Sequence, residues 1–235
     1  MTGAALRREL KAAGTPERAT GASRYFKTGK GQYGEGDIFL GVTVPVLRAI
    51  VKKYKTLPLA DVEKLLSIGE HEVRSAALLI LVAQYEKGDE AQRKQILKMY
   101  LRNTQYINNW ALVDCSCREI VGAHLKTGSR TLLTRLAKSK SMWERRIAMI
   151  STMALVQDGD FDDALRVAEL LLDDTHDLIH KAIGWVLRVV GDKDRTALLR
   201  FLETHYNRVP RTSLRYAIEH FSLEQRKRLL AGDFA

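Results

Sequence analysis

Tyr106-Ile-Asn-Asn-Trp110-Ala-Leu-Val-Asp114-Cys-Ser-Cys-Arg-Glu-Ile-Val121 is the first of three stretches whose reading decides the fold. Met142 to Leu155 and Asp177 to Val190 are the other two, and the three follow one another at about 36 residues. That interval is the length of a two-helix repeat, which predicts three equivalent helices standing side by side. With Asn109, Arg145 and Lys181 as a common register, Trp110 and Asp114 lie one and five residues on, Arg146 one, and Trp185 four. At 100° per residue these rotations are about 100°, 140°, 100° and 40°. Two indoles, a carboxylate and a guanidinium are therefore expected in one sector of the stacked helices.

The register runs further. Arg74, Asn109, Arg145, Lys181 and Arg215 succeed each other at intervals of 35, 36, 36 and 34 residues. Shortly after each comes a small residue: Ala76 and Ala77, Ala111, Ala148, Gly184, Ala217. Small side chains at a fixed helical phase let neighbouring helices approach closely, and apolar residues recur at helical spacing around them, as in Ile147, Ala148, Ala154 and Leu155. The prediction is an all-α chain, an α-solenoid of HEAT-like two-helix repeats with a concave basic groove. Such scaffolds bind proteins as well as nucleic acids, so the fold alone assigns no function.

Start signals and periodicity place the individual helices. One opens at Ala4 to Ala13, and Thr15-Pro16-Glu17 starts a second that runs to about Lys27. Thr43 with Pro45 begins a third, to about Tyr54. Helices then pair as 58–67 with 70–86, 89–102 with 107–123, 128–137 with 142–157, 161–172 with 176–190, and 194–204 with 210–221, before a closing helix at 223–230. Connections are short, which predicts a single domain over 1–235.

Composition narrows the partners. The 235 residues carry 38 Lys and Arg against 28 Asp and Glu, a formal charge of +10, and 46% are hydrophobic. Such a charge favours a polyanion, most simply nucleic acid. A membrane partner is not expected: the longest apolar run, Ala76 to Ala83, is far short of the roughly 20 residues of a spanning helix, and Met1 to Leu10 lacks a signal-peptide core. Cys115 and Cys117 point apart on one helix, so no disulfide is expected, in keeping with a cytoplasmic protein.

Several motifs have bland readings that outweigh the sharper ones. Gly29-Lys-Gly-Gln-Tyr-Gly34 matches G-x-G-x-x-G, but a dinucleotide site needs a buried strand before it and a helix precedes it here. It reads better as a mobile basic loop able to touch phosphate. His176 and His180 have a chelating spacing without further ligands nearby, and read as surface or capping residues. No nucleotide cofactor and no metal are expected. Lys138, Lys140, Arg145 and Arg146 flank a loop-to-helix junction that suits phosphate, and cations recur at Lys181, Arg188, Arg211 and Arg215. No nucleophile, base and orienting group fall on a common face. What remains is a carboxylate between indoles in a cationic setting. That chemistry suits loss of a base from deoxyribose, whose sugar becomes oxocarbenium-like.

At these residues the chain resembles the AlkD-type family of DNA alkylation repair glycosylases with HEAT-like repeats, over essentially its whole length. The family's Trp followed four residues later by Asp stands as Trp110-Ala-Leu-Val-Asp114. Its DNA-binding Arg lies three after a Trp, as in Trp143-Glu-Arg-Arg146, and its second catalytic Trp lies in a run resembling Lys181-Ala-Ile-Gly-Trp185-Val-Leu-Arg188. Arg24-Tyr25-Phe26-Lys27 and Phe39-Leu40-Gly41-Val42 resemble an N-terminal segment and the loop after it. The chain departs from the family at Asn109, where a second Trp stands, at Ala111, where an acid stands, and in the loop 27–36.

The resemblance implies excision of cationic N3-methyladenine and N7-methylguanine from duplex DNA by a monomer without a base-flipping pocket. It implies catalytic roles for Asp114, Trp110 and Trp185. DNA contacts are expected from Arg146 and Tyr25 and, through the basic register, from Arg145, Lys181 and Arg188. The alternatives are a non-catalytic HEAT-repeat binder of damaged or branched DNA and a scaffold for an acidic protein.

Overall fold

The computed structural model describes residues 1–234, which divide into two compact units, 1–120 and 121–234. The first contains α1 (Gly3–Ala13), α2 (Pro16–Tyr25), α3 (Val44–Lys53), α4 (Leu59–Leu66), α5 (His71–Lys87), α6 (Glu90–Arg102) and α7 (Trp110–Asp114), with a 3-10 turn at Thr104–Tyr106. The second contains α8 (Ala123–Leu125), α9 (Thr131–Ala137), α10 (Met142–Ser151), α11 (Met153–Gln157), α12 (Asp162–Leu171), α13 (Asp177–Lys193), α14 (Arg195–His205), α15 (Arg211–Ala217) and α16 (Leu223–Leu230). A π-helical turn, Arg118–Gly122, lies at the junction. The chain is all-α: among the described residues no strand forms, and an isolated parallel bridge joins Ile38 to Glu70. No helix among them is long and apolar enough to cross a membrane.

Local chemistry explains most of the boundaries. Thr2, Thr15, Asp89, Ser141, Asp194 and Ser222 each cap a helix by accepting a first-turn amide, and Ser222 with Gln225 completes a capping box. Each unit has its own core. In the first, Leu6, Leu10, Leu66, Leu78, Leu81 and Tyr100 are fully covered; in the second, Ile147, Val167, Ile183 and Leu187 are. Each such side chain contributes about 1.5–3 kcal/mol by leaving water. The small residues sit at the helix seams as the repeat requires. A Cβ on Gly184 would come within 2.5 Å of the Ser213 carbonyl on α15 and of Tyr216 Cβ. Ala76, Ala77, Ala148 and Ala217 are buried, and Ala111 is half-buried.

Three expected helices are shorter or interrupted. In place of a helix over 107–123 the chain forms the five-residue α7, a turn, and the π turn. Asn109 starts α7 late by capping it, and the Ser116 hydroxyl donates back to the Leu112 carbonyl at 2.7 Å, competing with the helical ladder. The helix expected over 142–157 breaks at Thr152, whose hydroxyl bonds the Met149 carbonyl at 2.7 Å. The one expected over 210–221 ends at Ala217.

Candidate functional site

The first unit carries Trp110 and Asp114 on α7, a helix of a turn and a half that needs support from outside itself. Its cap, Asn109, is wholly buried. The Asn109 Oδ1 accepts the Ala111 amide at 3.1 Å, and its Nδ2 donates to Asp37 Oδ2 at 2.9 Å. Asp37 is buried as well, and also takes the Arg74 guanidinium and His71 Nδ1, the latter at 3.3 Å. Burial pushes the Asp37 carboxyl up, but the His71 bond, the Arg74 charge and the Asn109 amide outweigh it and hold it below the usual carboxylate range. Arg74 donates further to the Tyr106 carbonyl at 3.1 Å and to Asn108 Oδ1, tying the approach to α7 onto α5. Arg74 and Asn109, the first two members of the repeat register, are thus internal struts.

Trp110 is the first residue of α7 and is half-buried. Its ring stacks on Phe26, centroids 5.1 Å apart and planes 29° apart, and meets the edge of Tyr25 at 6.0 Å. Phe26 stacks in turn on Phe39 at 4.9 Å, and Phe39 on His71 at 4.6 Å. The loop that carries Phe39 is fixed by the buried Glu72, whose carboxylate accepts the amides of Leu40, Gly41 and Val42 at 2.9, 2.8 and 3.2 Å. Tyr25, expected as a DNA contact, is 67% exposed and so able to meet a ligand. Asp114 closes α7, four residues from Trp110 and therefore on the same helical face, and is half-buried. Desolvation, reinforced by the charges of Asp114 and Glu119, pushes the neighbouring Cys115 thiol up to about 12, which leaves no thiolate for nucleophilic chemistry. Both cysteines are free, as expected.

The second unit holds Arg145, Arg146, Lys181, Trp185 and Arg188. Arg145 donates to Asp174 Oδ2 at 2.5 Å and to the carbonyls of Ser139 and Lys140, both at 3.0 Å, so it closes the loop before α10. Arg146 is only 5% exposed and donates to the Leu178 carbonyl at 2.5 Å, in the first turn of α13. Lys181 pairs with Asp177 at 2.8 Å and keeps 39% of its side chain exposed, while Arg188 pairs with Glu219. Trp185, half-buried, lies midway along the seventeen-residue α13 and directly follows the tightly packed Gly184. His176 caps that helix through Nδ1, which accepts the Leu178 amide at 3.1 Å, in line with its reading as a capping residue. His180 Nε2 meets the Asp174 carbonyl.

Sequence reasoning missed Asp37, His71 and Phe26 as supports of α7, and Asp174 as the partner of Arg145. Asp37 directly follows the Gly-rich loop, where an acid reads as a turn residue, and its partners are 34 to 72 positions away. Arg74, one turn ahead of the face that the apolar run Ala76 to Ala83 buries, was the one signal that a carboxylate had to meet it inside the fold.

Comparison with known proteins agrees with this architecture. A solved structure described as a predicted DNA alkylation repair enzyme from Enterococcus faecalis superposes with a TM-score of 0.72 at 18% identity, covering 89% of this chain and 97% of that one. At that identity the likeness speaks for the fold. None of the curated proteins compared with the chain matches it. The profile of the DNA alkylation repair enzyme family matches residues 6–221, nearly the full length, and the chain belongs to that family.

Proposed function

We propose that the protein is a monofunctional DNA glycosylase that hydrolyses the N-glycosidic bond of cationic alkylpurines, N3-methyladenine and N7-methylguanine, in duplex DNA. The observation that carries this reading is α7 itself: Trp110 and Asp114 share one face of a short helix held in place by a buried, charge-compensated network. In the proposed reaction the bond from C1′ to the purine nitrogen breaks and its electron pair neutralises the cationic base. The sugar is left oxocarbenium-like. The Asp114 carboxylate stabilises that charge and orients a water, whose oxygen adds to C1′ while its proton leaves to solvent. The products are a free alkylpurine and an abasic site.

Trp110, and Trp185 by the resemblance, offer aromatic faces to the developing cation. Tyr25 contributes contact area on the exposed side of the first unit. Among the cations of the second unit, Lys181 and Arg188 exchange their carboxylate partners for phosphate. Arg145 and Arg146, already engaged by Asp174 and by the Leu178 carbonyl, act as fixed positive charge. The reading assigns no role to a metal or cofactor, and the protein acts as a monomer.

A positively charged base is already a good leaving group, so selectivity comes from the lesion's own charge, and large N7 adducts are accepted along with methyl. The test incubates the protein with duplexes carrying N7-methylguanine, a bulky N7 adduct or uracil and measures free base. Release of both cationic bases and not of uracil supports the proposal. Efficient uracil release points to a base pocket, and binding without any release points to a non-catalytic DNA binder.

A further inference from the structure

The Gly- and Lys-rich segment 27–36 has no part in the reaction as described so far, yet it is built with care. It folds on itself: the Gly29 amide donates to Gln32 Oε1 at 3.0 Å, the Gly31 amide to Glu35 Oε2 at 2.7 Å, and the Gly34 amide to the Lys27 carbonyl at 3.2 Å. These bonds close the loop on itself. Two of its glycines explain the G-x-G-x-x-G spacing without any nucleotide. Gly31 has a φ of +75°, and a Cβ on the buried Gly34 would stand 2.3 Å from the Phe26 carbonyl. Only a glycine lets the loop return that close to Phe26.

That return delivers one side chain. The Tyr33 hydroxyl accepts the indole N–H of Trp110 at 3.1 Å. Stacking on Phe26 sets the plane of the Trp110 ring but does not distinguish it from the ring flipped about its Cβ–Cγ bond, which keeps the plane and turns the N–H the other way. A hydrogen bond to the indole nitrogen removes the remaining freedom, because the indole has a single N–H and it points in one direction. Trp110 needs this more than most tryptophans, since it sits at the first position of a five-residue helix.

We propose that Tyr33 is a positioning residue for base excision: by holding the Trp110 N–H it fixes the ring orientation in which the open part of the indole meets the lesion-strand sugar. The inference rests on the proposed excision, and its test separates the two. Tyr33→Phe removes the hydroxyl and keeps the ring. Single-turnover release of N7-methylguanine is expected to fall about three- to tenfold, the net worth of one hydrogen bond, with duplex affinity unchanged. In a Trp110→Phe background, which has no N–H to hold, the same substitution should have no further effect. A second readout needs no substrate. The Trp110 indole N–H resonance, assigned by its disappearance in Trp110→Phe, should shift and exchange faster with water in Tyr33→Phe. An unmoved resonance overturns the positioning whether or not base is released. So does an unchanged rate in the single variant, or an equal loss in the Trp110→Phe background. Absence of release from the wild-type protein overturns the proposed excision instead.

Discussion

The helices α7 and α13 occupy equivalent places in the sequence register, and each carries a tryptophan to which the proposed function gives a role, yet they hold it in opposite ways. α13 runs unbroken for seventeen residues, packs Gly184 against the backbone of α15, and so fixes Trp185 from within a long, cooperative helix. α7 has five residues and no such reserve. Its tryptophan is fixed from outside, by the Asn109 cap, the Asp37–Arg74–His71 cluster beneath it, the Phe26 stack and Tyr33. The lesson is that a sequence repeat specifies where a residue falls, while the rigidity of that residue depends on what surrounds the helix.

The sharpest way to break this contrast is to remove the outside support. Asp37→Ala leaves the Arg74 guanidinium, 5% exposed, without its carboxylate, and breaking a buried pair of this kind costs about 3–5 kcal/mol. Denaturant unfolding should show that loss; a change below about 1 kcal/mol would mean that the cluster is not holding the first unit together. On the α13 side the matching perturbation is steric. Gly184→Ala gains about 1 kcal/mol of helix propensity but drives a methyl into the Ser213 carbonyl, where overpacking costs about 1–3 kcal/mol. Gly21→Ala in α2, where a Cβ meets nothing within 4 Å, should stabilise the protein and serves as the control. Equal melting shifts for the two variants would contradict the close packing of α13.

Catalysis should feel both tryptophans. Trp110→Ala and Trp185→Ala are each expected to slow base release by about 0.5–2 kcal/mol if cation–π attraction is the cause. Trp110→Ala should also perturb the first unit's stability, because Phe26 keeps its stack on Phe39 but loses the one on Trp110. Full activity in either variant removes that ring from the mechanism.

The smallest effect is graded with pH. Asp37 titrates below its ordinary value of about 3.9 in the folded protein, so its contribution to stability is complete above the unfolded value and is lost as pH falls through the lower, folded one. The acid limb of the stability profile should therefore flatten in Asp37→Asn. An identical limb in both proteins would show that Asp37 is not the titrating group.

Much of this was legible in the sequence. Start signals such as Thr15 with Pro16 and Thr43 with Pro45, and the apolar period, placed most helices within a few residues, because those signals are local. The break after Asp114 was not legible. It depends on the Ser116 hydroxyl turning back to Leu112 and meeting the buried Tyr100 hydroxyl at 3.0 Å, a tertiary contact that no periodicity encodes. The candidate site divides the same way. Trp110 and Asp114 stand four apart and can be read from one helix, but Tyr33 lies 77 positions from its indole partner. The basic register showed where cations fall and not which way they face. Arg145 and Arg146 occupy the expected phase and spend their donors on Asp174 and the Leu178 carbonyl.

The central claim is that the carboxylate on α7 performs the chemistry, and Asp114→Asn tests it most directly because the amide keeps the shape and loses the charge. Single-turnover release of N7-methylguanine from a duplex should fall by about 100-fold or more, the scale of losing one preorganised electrostatic contact, while duplex affinity stays the same. Release at the wild-type rate would contradict the account.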